Sequence, residues 1–136
     1  MQGQYTSGTS SVSQMAALAA YEGDQRCVED FRKAFQRRRD LIVSLAKEVP
    51  GLEVNVPEGA FYLFPKSSSF FGKTNGNYVI NNSTDFALYL LEEGHVATVA
   101  GDAFGSPDYF RMSYATSDDN IIEALSRIKD VLSKLK

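Results

Sequence analysis

Residues 24–51 impose the first constraint on the fold. Val28, Phe31, Phe35, Ile42 and Leu45 recur at helical spacing, the pattern of a helix that buries one stripe. Asp24 stands where an N-cap belongs, and Pro50-Gly51 ends the pattern. The period then drops to two. Leu52, Val54 and Val56 alternate with Glu53 and Asn55, predicting a half-buried strand. A long amphipathic helix followed at once by short strands calls for a layered fold, with helix against sheet.

The rest of the chain repeats this alternation. Residues 1–13, "MQGQYTSGTSSVS", read as a polar, irregular lead-in, and "SQMAALAAY" as a helix. Pro57-Glu58-Gly59 predicts a turn into a second strand, "AFYLF", apolar on both faces. Residues 66–83 are rich in Ser, Asn and Gly and read as one long loop. Asn81-Asn82-Ser83-Thr84 holds two glycosylation sequons, read here as a turn and a helix start. Ser83 or Thr84 is expected to cap a helix burying Phe86, Leu90 and Leu91, stopped by Gly94. "HVATV" and "YFRMSYA" read as strands three and four. Thr116 and Asp119 suggest a capping box before a last helix. That helix buries Ile121, Leu125, Ile128, Leu132 and Leu135, and ends in lysines that suit its dipole. The expected class is α+β: a two-layer domain with a small sheet of about four strands and helices on one face.

Composition narrows the functions. Among 136 residues, 43% are hydrophobic and 23% charged, the balance of a globular domain with a core. A net charge of −3 argues against nucleic acid as a partner. One histidine, His95, gives no basis for a His-based metal cluster, and the single Cys27 cannot close an internal disulfide. No apolar run nears the ~20 residues of a membrane span, and no signal peptide is expected. No metal site, membrane partner or nucleic-acid partner is therefore expected, and the compartment is read as cytoplasmic.

Several motifs have ordinary explanations. His95 has no G-x-S-x-G partner and follows a helix stop, so it reads as structural. "GDAFG" lacks the Lys-Ser/Thr of a phosphate loop and reads as a turn. Arg37-Arg38-Arg39 reads as a solvated face balanced by Glu29, Asp30 and Asp40, with Arg38 placed to snorkel or pair. Arg111 is different. Alternation puts Tyr109, Arg111, Ser113 and Ala115 on one face of a strand, and Phe110, Met112 and Tyr114 on the other. An arginine among aromatics needs a negative partner, either an internal carboxylate or a ligand. The residues alone leave both open.

Taken in order, "FQRRRDLI", "GAFYLF", "GDAFG" and "FRMSYATS" resemble the C-terminal part of class I pyridoxal-phosphate aminotransferases, closest to the aspartate aminotransferase group. The lead-in "QGQYTSGTSSVSQMAALAAY" resembles the segment leaving that family's large domain. The resemblance implies that residues 1–22 end the large-domain segment and residues 23–136 form the small domain of a fold-type I enzyme. It implies that Arg111 binds the substrate α-carboxylate, that Phe61 helps wall the substrate site, and that Tyr5 to Ser7 lie near a subunit interface. Ala100 stands where the family often has proline, and the 66–83 loop is long for the family.

By the same resemblance, the Schiff-base lysine and the cofactor contacts belong upstream, in the large domain. Lys33, Lys47, Lys66, Lys73, Lys129, Lys134 and Lys136 fall on predicted helix surfaces, loops or the C-terminus. The implied function is transfer of an amino group between an amino acid, aspartate in the first instance, and a 2-oxo acid. The implied parent is homodimeric and carries pyridoxal phosphate. This segment is expected to hold no cofactor, to supply no catalytic residue and to be inactive alone. The alternatives are the equivalent domain of a related lyase or synthase, and a non-catalytic binding module.

Overall fold

The computed structural model describes residues 8–136. These group into two compact units, one ending at Lys33 and one comprising Ala34–Lys136. In the first, α1 (Ser11–Glu22) is exposed along its length. It begins inside the segment expected to be irregular. α2 (Arg26–Lys47) follows, and the Asp24 carboxylate accepts the Arg26 amide at 2.9 Å, as a capping acid should. Val28 and Phe31 are exposed, contrary to expectation. A periodic stripe marks a helix face but not how far along it burial extends. On α2 burial builds up from half-buried Phe35 to Ile42, Val43 and Ala46.

In the second unit the sheet has three antiparallel strands in the order β1-β5-β4. β1 is Tyr62–Leu63, β4 is Val99–Ala100 and β5 is Phe110–Ser113. β2 (Thr74–Asn75) and β3 (Tyr78–Val79) form a separate hairpin. The expected strand at Leu52–Val56 reduces to one bridge, Glu53 with Lys66. Leu52 and Val54 are half-buried as their alternation predicts, but no ladder extends past the bridge to include exposed Val56.

Between the strands and helices lies a single core. Leu63, Phe110, Met112 and Tyr114 supply one sheet face to it. α3 (Ser83–Glu92) adds Phe86, Tyr89 and Leu90, and α4 (Asp118–Ser133) adds Ile121, Leu125, Ile128, Val131 and Leu132. Each such side chain contributes roughly 1.5–3 kcal/mol by leaving water. The Tyr89 hydroxyl donates to the Val131 carbonyl at 2.8 Å, which satisfies the polar tip of a buried ring.

Four expectations need correction here. The 66–83 loop is not merely a surface connection: it sends Phe70 and Ile80 into the core and carries the hairpin, whose turn uses Gly76 at φ 58°. Asn82, not Ser83 or Thr84, caps α3 by accepting the Asp85 amide, while buried Ser83 bonds Asp102. Leu91 is exposed, and Tyr89 takes the inward position. Ser117 caps α4 by accepting the Asn120 amide; Thr116 instead accepts from the Asn120 side chain. Asp, Asn, Ser and Thr are close to equivalent as caps, so the sequence places a helix start to within a residue only. At the other end of α4, Lys134 is the C-cap and its ammonium pairs with Asp130 rather than standing free.

The basic triplet is tied across the domain. Arg37 holds both oxygens of Asp118 at 3.0 and 3.1 Å, and Arg38 lies 3.6 Å from the same carboxylate. Only Arg39 pairs with Asp40 as expected; Glu29 pairs with Arg32 and Lys33. The Arg37 hydrogen bond holds the Asp118 carboxyl below the usual carboxylate range. A carboxyl lowered in the folded state stabilises above its unfolded value, about pH 4, and the gain is lost as pH falls through the lower folded value. Asp118→Asn is therefore expected to lower the urea midpoint at pH 7, with the difference vanishing well below pH 4. Equal midpoints at both pH values would show that this bidentate pair contributes nothing.

Candidate functional site

The site grows out of β5. Its core-facing residues are Phe110 and Met112, and the intervening Arg111 is half-buried on the opposite face. β1 pairs with β5 so that Tyr62 stands opposite Ser113, and β4 so that Val99 stands opposite Arg111. Tyr62 is thus a diagonal neighbour of Arg111 on the same face. Its ring centroid lies 4.3 Å from the guanidinium carbon.

A second ring reaches Arg111 from the turn after β4. Residues Gly101–Phe104 form a single 3-10 turn, which closes with Gly105 at φ 70°. Gly101 is required by close approach: a Cβ there would meet the Ser106 and Tyr109 carbonyl oxygens at 2.1 and 2.3 Å. Its amide donates to Tyr109 at 2.8 Å and its carbonyl accepts from Ser106 at 3.0 Å. Asp102 accepts from the hydroxyls of Ser83 and Thr84, fixing the turn to the start of α3. Phe104 is thereby placed with its ring 4.4 Å from the Arg111 guanidinium carbon. Phe64 backs the assembly, stacked on Tyr109 at 5.3 Å and edge-on to Phe104 at 6.0 Å.

No carboxylate among the described residues pairs with Arg111, and its guanidinium donates no hydrogen bond to any of them. The internal ion pair open from sequence is therefore not present among the described residues. Two uncharged rings flank the cation, and its N–H groups remain available. Such an arginine can receive a planar anion through two parallel hydrogen bonds.

Phe61 does not reach Arg111. It is part-exposed against Phe35 and Tyr62, with ring centroids 6.2 and 4.5 Å away, one ring removed from the guanidinium. The Tyr114 hydroxyl donates to the carbonyl of Ala60, which adopts φ 58° just before it. Burial pushes the Tyr114 phenol up. The aromatics that touch Arg111 are Tyr62 and Phe104, which sequence reasoning did not assign. Period-two alternation could have found Tyr62, but only the turn geometry reveals Phe104.

Other residues singled out lie elsewhere. His95 is exposed at φ 53° directly after α3, its amide bonded to Leu91 at 3.1 Å, a helix terminus. A cavity of about 510 Å³ is lined by Ile42, Val96, Met112, Ile121 and Arg127 with His95, and excludes Arg111. No cluster of metal-ligating side chains occurs among the described residues, and no helix among them is long and apolar enough to cross a membrane. Tyr5 to Ser7 lie outside the described residues.

The family model "Aminotransferase class I and II" matches residues 1–128. An aspartate aminotransferase of Rhizobium meliloti (strain 1021) is 46% identical over 136 residues, covering 99% of this chain and 33% of the relative. A "probable aspartate/prephenate aminotransferase" of Rickettsia prowazekii is 48% identical over 136 residues, covering 99% and 34%. The crystal structure of the Rhizobium meliloti aspartate aminotransferase superposes with a TM-score of 0.93 at 45% identity, over 99% of this chain and 34% of that one. An aspartate aminotransferase from Thermotoga maritima superposes at 0.77 with 38% identity, over 97% and 31%. The chain thus spans about a third of the length of the relatives it matches.

Gly101→Ala tests the turn that carries Phe104. With backbone oxygens on both sides, the added methyl forces the turn to shift, at a cost of roughly 1–3 kcal/mol. Urea unfolding is expected to show that loss. An unchanged midpoint would mean that the 3-10 turn absorbs a Cβ freely.

Proposed function

Since the chain belongs to the class I and II aminotransferase family, we propose that it is the substrate-anchoring part of a pyridoxal-phosphate transaminase acting on an amino acid, aspartate in the first instance, and a 2-oxo acid. Residues 1–22 then end the large-domain segment and residues 23–136 form the small domain. The observation that carries this reading is Arg111: half-buried, on the sheet face away from the core, and without a counter-ion among the described residues. An α-carboxylate is the partner that such a guanidinium fits. Phe61 would act as part of the wall near it, through Tyr62, rather than on the anchor itself.

The cofactor that the family implies needs a lysine amine held in a site that depresses its pKa. None of the lysines in this chain fits. Each reaches solvent, Lys66 pairs with Glu53, and Asp130 raises Lys134 rather than lowering it. No catalytic step is assigned to them. In this reading the cofactor and its lysine belong to the remaining two-thirds of the parent, and the piece alone is inactive. The parent is taken to be a cytoplasmic homodimer.

Kinetics and stability, measured on the same full-length variants, test the anchor. Removing one member of a desolvated charge pair costs roughly 2–5 kcal/mol. Arg111→Ala is then expected to lower kcat/KM by on the order of 10²- to 10⁴-fold. Arg111→Lys is expected to be damaging too, because an ammonium cannot supply two parallel donors. With no ion pair to a described residue to break, the melting temperature should fall by no more than the two ring contacts supply. A variant that melts several degrees lower yet keeps its kcat/KM would overturn the anchor role.

A further inference from the structure

We propose that Tyr62 and Phe104 are positioning residues: together they form an aromatic clamp that orients the Arg111 guanidinium edge-on to the incoming carboxylate and keeps its charge uncompensated. This rests on the anchor reading above. The two ring centroids lie 4.3 and 4.4 Å from the guanidinium carbon. Tyr62 and Phe104 make no ring contact with one another among the described residues, so they take different flanks of the cation. Each is set by an independent element, Tyr62 by the β1–β5 register and Phe104 by the Gly101–Phe104 turn.

The physical argument is one of competition. An empty anchor needs stabilisation, and an internal carboxylate would give it by occupying the same N–H groups that the ligand requires. Aromatic faces stabilise a cation through the ring quadrupole and leave every N–H free. Guanidinium, weakly hydrated and planar, stacks on them where an ammonium would not. With its flanks taken, the group can meet a ligand only along its N–H edge, the approach that makes two parallel bonds.

The test uses the full-length enzyme with Phe104→Leu, Tyr62→Leu, Tyr62→Phe and, as reference, Arg111→Ala. KM and kcat are measured for the amino acid and for the 2-oxo acid, alongside urea midpoints. Loss of one ring is expected to raise KM for both substrates about 3- to 30-fold, the span of cation–π contacts, with kcat and midpoint little changed. Tyr62→Phe is expected to recover most of what Tyr62→Leu loses, because the ring and not the hydroxyl stacks. Should Phe104→Leu not fold, Phe104→Met removes the ring while keeping its bulk and carries the same test. If Arg111→Ala raises KM but the ring-deleting variants stay within twofold, the clamp is refuted and the anchor stands. If Arg111→Ala itself leaves KM unaltered, the anchor reading fails and the clamp with it. Loss in kcat alone, or in the midpoint alone, also refutes the clamp.

Discussion

The whole domain hangs on the middle strand, β5, having two chemically opposed faces. Phe110 and Met112 are buried against the helices, and Tyr114 continues that face beyond the strand. Arg111 alternates with them and is carried to the other side by the pleat alone. The core-facing residues fix the register, because a slip of one residue would turn Arg111 into the core and an aromatic out of it. Burying an unpaired guanidinium is costly, and exposing a phenylalanine adds to that cost. The same apolar contacts that stabilise the fold therefore hold the arginine's position.

What the sequence revealed followed from periodicity. The helical stripe of α4 and the alternation along β5 are long enough that packing and pattern agree, and Ile121, Leu125, Ile128 and Leu132 are all buried as expected. Failures concentrate where the signal is short or non-local. The strands expected at "AFYLF" and "HVATV" form, but each pairs over only two residues, as β1 and β4. Phe70 and Ile80 enter the core from a segment whose Ser, Asn and Gly content reads as loop. Asp118 lies 81 residues from Arg37, so no local rule could pair them.

The candidate site divides the same way. Arg111 was conspicuous because a charge amid aromatics contradicts its surroundings, and such contradictions tend to mark function. Its partners were not conspicuous. Phe104 reads as one residue of a glycine-flanked turn, and its relation to Arg111 depends on Gly101 approaching two backbone carbonyls more closely than any Cβ permits. A glycine at such a contact carries three-dimensional information that no window of sequence displays.

That turn also links the site to the rest of the domain. Asp102 binds Ser83 and Thr84 at the first turn of α3, while two residues later Phe104 flanks Arg111. α3 in turn packs Phe86 against Phe110, the immediate neighbour of Arg111 on β5, with ring centroids 4.9 Å apart. The circuit closes: strand, turn and helix each brace the next. On the anchor reading, a guanidinium held within this circuit is already placed for an incoming anion. On that reading, less affinity would go to freezing a long, flexible side chain. Two ring faces, and no carboxylate partner among the described residues, distinguish Arg111 from the arginines of α2, each of which lies beside a carboxylate.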